Sequence, residues 1–140
     1  MSDLLLEVVL SKVVVDCMPS SPLATPVELF IVPHTHADVG WLQTVNSLER
    51  INVSRILDGV TATLAVNPSR RFVWDEMAFL QLWWESASTT ASQRKLFTDH
   101  VRAGRIEFAD NGWSQHDMGC TTVDSMLNNW VEGQIGRAHV

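Results

Sequence analysis

Three short apolar runs, at residues 28–32, 71–74 and 105–109, alternate with longer stretches whose apolar residues recur at helical spacing. Runs this short have the length of strands, and the periodic stretches between them have the length of helices. Such an alternation restricts the chain to α/β folds, in which helices cross over between parallel strands. The first periodic stretch carries Val53, Ile56, Leu57, Val60 and Leu64. Asn52 or Ser54 can cap it, and Asn67-Pro68 ends it. Residues 79–85 read as a second helix, with Phe79, Leu82 or Leu80, Trp83 and Trp84 supplying its inner side. A third is capped by Ser92, carries Leu96, Phe97 and Val101, and stops at Gly104. A last helix, capped by Thr122, carries a stripe of Val123, Met126, Leu127, Trp130 and Val131. Residues 41–48 give no clear periodic signal.

In folds of this kind functional groups gather at the carboxyl ends of the strands. Each of the three runs is followed by such groups: His34-Thr35-His36-Ala37-Asp38, then Asp75-Glu76, then residues 110–117 ending in Asp117. In extended backbone, alternate side chains point the same way, so His34, His36 and Asp38 can share a face. Imidazole nitrogen and carboxylate oxygen are ligands suited to zinc or a similar divalent ion. Spacing alone does not choose between the two histidines. The other would orient a ligand or touch a substrate. Trp41 offers a flat apolar face on which a sugar or aromatic ring can lie. Asp117, after the third run, can complete a ligand set or act as a nucleophile in glycoside chemistry. Asp75 and Glu76 read as helix-start carboxylates, and His100 as an exposed mid-helix residue; His116 can serve as a ligand, though a surface histidine is the commoner case.

At 140 residues, 46% hydrophobic and 19% charged, the chain has the size and composition of one soluble domain. A net charge of −6 without a basic block argues against a nucleic-acid partner, and no run is long and clean enough for a membrane span. Cys17 and Cys120 form no Cys-x-x-Cys pair, so neither a thiolate metal site nor a disulfide framework is indicated. Trp74, Trp83, Trp84, Trp113 and Trp130 are dispersed and read as core. Residues 1–18 are apolar but interrupted by Asp3, Glu7, Lys12 and Asp16, a poor match to a signal peptide. Ser20-Ser21-Pro22-Leu23-Ala24-Thr25-Pro26 reads as a linker. Residues 1–26 are thus a poorly defined N-terminal segment, with the folded part starting near Val27.

Taken together these residues resemble the N-terminal catalytic domain of the glycoside hydrolase family 38 alpha-mannosidases, of the lysosomal type, over residues 27–134. Three blocks carry the likeness in order. They are Pro33-His34-Thr35-His36-Ala37-Asp38-Val39-Gly40-Trp41-Leu42-Gln43-Thr44; Asn67-Pro68-Ser69-Arg70-Arg71-Phe72 through Glu76 with Phe79 and Trp83-Trp84; and Gly104-Arg105-Ile106-Glu107-Phe108 through Asp117. The resemblance implies a seven-stranded α/β barrel of the glycoside hydrolase/deacetylase type, of which this chain supplies part. It implies one Zn2+ ion and retaining hydrolysis of terminal alpha-mannose from N-glycans and other mannose-containing oligosaccharides, in the lysosome or secretory pathway. By the motif match His36, Asp38 and Asp117 are the zinc ligands, Asp117 is also the nucleophile, Trp41 stacks beneath the mannose ring and His34 is a neighbouring polar contact.

The chain departs from the family pattern at Met118, where an acidic residue is common, and at Asn111, where glycine is common. The segment after Trp41 is also shorter. In the family a further histidine ligand and the acid/base carboxyl lie downstream, with no counterpart in these residues. The chain is therefore expected to be an N-terminal piece with little or no hydrolytic activity alone. Ile135-Gly136-Arg137-Ala138-His139-Val140 matches what a sequencing-adapter-like codon string would encode and reads as an artefactual tail. The rival expectations are another metal-dependent carbohydrate hydrolase or deacetylase on a similar barrel, and an inactive, non-enzymatic fragment.

Overall fold

A computed structural model of the chain describes residues 13–15, 27–117 and 119–137. The linker at residues 20–26 and the end of the tail at residues 138–140 lie outside the described residues. The elements in chain order are β1 (Val13–Val15), β2 (Val27–Leu29), α1 (Val45–Leu48), a π-turn (Glu49–Val53), α2 (Ser54–Val66), β3 (Phe72–Trp74), α3 (Met77–Glu85), α4 (Ala91–Arg102), β4 (Ile106–Phe108) and α5 (Val123–Arg137). This is the mixed α/β class that the alternation implies.

The sheet that matters for the site is parallel. β3 pairs with β4 in the register Phe72↔Ile106, Val73↔Glu107, Trp74↔Phe108. On the other edge of β3, His34 bridges Val73 in parallel. Val73 N donates to Pro33 O at 3.0 Å and Thr35 N donates to Val73 O at 3.2 Å. The three strand ends that sequence reasoning paired with chemistry therefore lie side by side, in chain order.

The run at residues 28–32 is not the buried strand its composition implies. Its first part, β2, pairs antiparallel with β1, and Phe30, Ile31 and Val32 are exposed, Phe30 at 73%. The chain joins the parallel sheet only from Pro33. An apolar run is buried only where a neighbour covers it, and among the described residues none covers these three.

The core lies between the sheet and α2, α3 and α4. Phe72 and Trp74 alternate to one face of β3, as the period of two demands, and both are buried. They join Val53, Leu57, Val60 and Leu64, the α3 residues Met77, Phe79, Leu80 and Trp83, Phe97 of α4 and Ile106 of β4. Trp83 tilts against Phe97 with ring centroids 5.4 Å apart, and its Nε1 donates to Asp58 Oδ1 at 3.0 Å, which meets the indole's need for an acceptor in a buried place. Trp74 and Trp83 are core, as composition implies; Trp84 and Trp113 are half-buried and Trp130 is exposed.

Three local expectations are corrected. α2 begins neither at Asn52 nor at Ser54: helical backbone starts at Val45, where Thr44 Oγ1 accepts Ser47 N–H at 3.3 Å, and continues through the π-turn. The inserted residue of a π-turn breaks the 3.6-residue period, which hid the earlier turns. α4 is capped by Thr90, not Ser92, through a capping box with Gln93. His100 is buried, not exposed: its Nε2 meets Thr61 O of α2 at 3.0 Å. Gly104, at φ +63°, ends α4 as expected, and Thr122 Oγ1 accepts Ser125 N–H at 3.3 Å at the start of α5. The helical backbone of α5 continues to Arg137.

Candidate active site

The loop at residues 34–38 leaves the sheet beside the end of β3. His34 Nδ1 faces two acceptors, Thr35 O at 2.6 Å and Asp75 Oδ2 at 3.2 Å. His36 Nδ1 faces the amide oxygen of Gln115. An acceptor at Nδ1 suits the tautomer with its proton there, in which Nε2 keeps its lone pair. The free Nε2 of His36 stands 4.0 Å from Asp38 Oδ1. A tetrahedral zinc ion with bonds of about 2.0–2.2 Å holds two donors about 3.3–3.6 Å apart, so this pair would have to close by about half an ångström to ligate one ion.

The remaining predicted residues are not gathered with this pair. Asp117 is exposed at the end of the loop that follows β4, its backbone oxygen accepting Cys120 N–H at 2.8 Å. Among the described residues no group of three or more His, Cys, Asp or Glu side chains could hold a metal ion. Trp41 is 77% exposed, one residue past Gly40, whose φ of +87° turns the chain. His34 and His36 open on a cleft of about 530 Å³ walled by Ile56, Val60, Phe72 and Trp74; Asp38, Trp41 and Asp117 do not line it.

Beneath the loop lie two buried carboxyls, Asp75 and Glu76. Asp75 N takes the Thr35 hydroxyl as acceptor at 3.1 Å. Burial holds the Asp75 carboxyl above the usual carboxylate range, opposed by His34. Burial likewise raises Glu76, opposed by the Ala37 N–H and the Thr35 hydroxyl. Their helix-start position was legible; that both face the histidine loop was not.

The loop at residues 109–117 is fixed by α5. Asp110 and Asn111 adopt positive φ, 56° and 55°, conformations costly for non-glycine residues. Asn129 spans Ser114 on both sides: its Oδ1 accepts Ser114 N–H at 2.9 Å and its Nδ2 donates to Ser114 O at 2.7 Å. His116 is no surface histidine. Its side chain is largely buried, with Nδ1 3.1 Å from Asp110 Oδ2. Asp110 Oδ1 in turn accepts Trp130 Nε1–H at 3.0 Å. The same loop carries Gln115, which sequence reasoning missed, since an amide 79 residues from His36 gives no local signal.

The sequence matches the model of the glycosyl hydrolases family 38 N-terminal domain over residues 26–135. It is 40% identical over 111 residues to the lysosomal alpha-mannosidase of Bos taurus, covering 74% of this chain and 11% of that protein. The human lysosomal alpha-mannosidase is 39% identical over 111 residues, with the same coverage. Alpha-mannosidase F of Dictyostelium discoideum is 34% identical over 109 residues, 76% of this chain and 11% of that protein. The chain thus spans about a tenth of the length of these curated relatives. With most of its length matched by one family model and its histidine loop set at a parallel strand end, the chain belongs to the glycosyl hydrolases of family 38, as part of their N-terminal domain.

Proposed function

We propose that the chain is part of the catalytic domain of an alpha-mannosidase, and that its strand ends supply half of a zinc-dependent active site. The observation that carries the reading is the pairing of His36 Nε2 with Asp38 Oδ1 at 4.0 Å, with His36 Nδ1 turned to the amide oxygen of Gln115. His36, Asp38 and Asp117 would hold the ion, which when bound offers Lewis acidity to the hydroxyls of a sugar. The support for Asp117 is its place two residues after Gln115, on the loop that touches His36.

Asp117 acts as the nucleophile of a retaining hydrolysis. Its carboxylate oxygen forms a bond to the anomeric carbon as the glycosidic C–O bond breaks and the leaving oxygen takes a proton from a second carboxyl group. Water then cleaves the glycosyl ester, its proton passing to that same group. Trp41, exposed, serves as the platform for mannose, and His34 as a polar contact. The β3–β4 sheet, with His34 on its edge, forms part of a seven-stranded barrel. The substrates are mannose-containing glycans and the compartment is lysosomal, readings supported by the names of the relatives.

A chimera tests this directly. Residues 26–135 replace the matched segment of the bovine enzyme, and the product is assayed on an alpha-mannoside and on an acetylated sugar. The expected result is release of mannose alone, abolished by Asp117→Asn within the chimera. A folded chimera that releases acetate instead, or whose Asp117→Asn form keeps full mannosidase activity, contradicts the proposal.

A further inference from the structure

Glu76 is fully buried at the junction of β3 and α3. Its Oε1 accepts the Ala37 N–H at 2.6 Å, across 39 residues of sequence. Its own backbone is pinned, since Trp74 Nε1 donates to Glu76 O at 2.9 Å. The second carboxyl oxygen, Oε2, is buried with no hydrogen-bond partner among the described residues. Burying a carboxyl with one oxygen unpaired is costly, and a leucine would fill the same space at less expense. What leucine lacks is the acceptor for Ala37, the residue that joins His36 to Asp38.

We propose that Glu76 is a positioning residue, which by accepting the Ala37 N–H sets the path of the backbone between His36 and Asp38 and hence the separation of His36 Nε2 from Asp38 Oδ1. The zinc arm of this inference rests on the reading of that pair as metal ligands; the backbone arm does not. Residues that orient ligands from behind characteristically change metal affinity about 10–100-fold when altered.

Two substitutions in the full chain separate positioning from mere packing. Glu76→Gln keeps an oxygen at the same reach; Glu76→Asp keeps the carboxyl but withdraws it by one methylene. Amide hydrogen exchange at Ala37 is measured without metal, and Zn2+ affinity by competition with a chromophoric chelator. Glu76→Gln is expected to keep Ala37 exchange slow and Zn2+ affinity within about threefold of the parent. Glu76→Asp is expected to speed Ala37 exchange at least tenfold and to weaken Zn2+ about tenfold or more. If both variants match the parent, or both fall together, positioning through Ala37 is overturned. It is also overturned if Glu76→Asp frees the Ala37 amide yet leaves Zn2+ affinity intact while His36→Ala abolishes it. If instead His36→Ala leaves Zn2+ affinity intact while Ala37 exchange separates the two variants, the metal reading falls and Glu76 still positions the loop.

Discussion

Asn129→Ala removes a side chain that ties the loop after β4 to α5 through both the N–H and the carbonyl of a single residue, Ser114. Two bonds of good length are lost, Ser114 N–H to Oδ1 at 2.9 Å and Nδ2–H to Ser114 O at 2.7 Å. A weaker one from the Ser114 hydroxyl at 3.2 Å goes with them. Each net bond is worth about 1 kcal/mol, and stranding a buried partner adds about 1–3 kcal/mol. Ser114 and Asn129 are only half-buried, so water recovers much of the second term. The expected loss is about 2–3 kcal/mol. With an m value of about 1.5–2 kcal/mol/M, the urea midpoint followed by tryptophan fluorescence falls by about 1–2 M. Asn128→Ala, at the exposed neighbouring position, is the control and changes stability by less than about 0.5 kcal/mol. A midpoint for Asn129→Ala equal to that of Asn128→Ala, with Ser114 amide protection unchanged, would refute the claim that Asn129 holds the loop bearing Gln115 and Asp117.

Two further outcomes are expected. A Cβ at Gly133 would collide with Asn111 O and sit 2.7 Å from the Gly112 carbonyl carbon, so Gly133→Ala should detach α5 from the loop and lower the thermal midpoint, whereas Gly59→Ala, with open space at its Cβ, should not; equal midpoints refute the close approach. Burial holds the His100 imidazole below its ordinary value, so the folded state resists a proton that the unfolded chain accepts. Its contribution is whole above about pH 6.5 and declines as pH falls from there. The parent should therefore lose more stability than His100→Gln between pH 7 and pH 5, and parallel pH profiles would contradict this.

What was legible in the sequence was what is local. β3 and β4 announced themselves by short apolar runs between turn residues, and α3 and α5 by their apolar spacing. Gly104 marked the end of α4 because positive φ favours glycine there. Starts were harder. Ser92 sits in the first turn of α4, and only the Thr90–Gln93 pairing reveals the true cap. The π-turn at Glu49–Val53 shifted the apolar phase, so α1 went unread. His100 looked exposed because its acceptor, Thr61 O, is 39 residues away on another helix. For the site, the strand-end rule located the histidine loop, Asp75-Glu76 and residues 110–117 together. It could not show that Glu76 reaches Ala37, that Gln115 faces His36, or that Asp110, His116 and Trp130 form one network, since each pairing is fixed by packing and not by spacing. Residues 28–32 illustrate the converse: their apolarity predicts burial, but burial needs a covering neighbour.

Whether His36 and Asp38 bind one divalent ion together is measured by Zn2+ titration of the chain. The parent, His36→Ala and Asp38→Ala are compared by chelator competition, each checked for fold by circular dichroism. The parent is expected to bind one Zn2+, and each substitution to weaken binding at least about tenfold, or roughly 1.4 kcal/mol. Zn2+ affinity unchanged in both folded variants would contradict this.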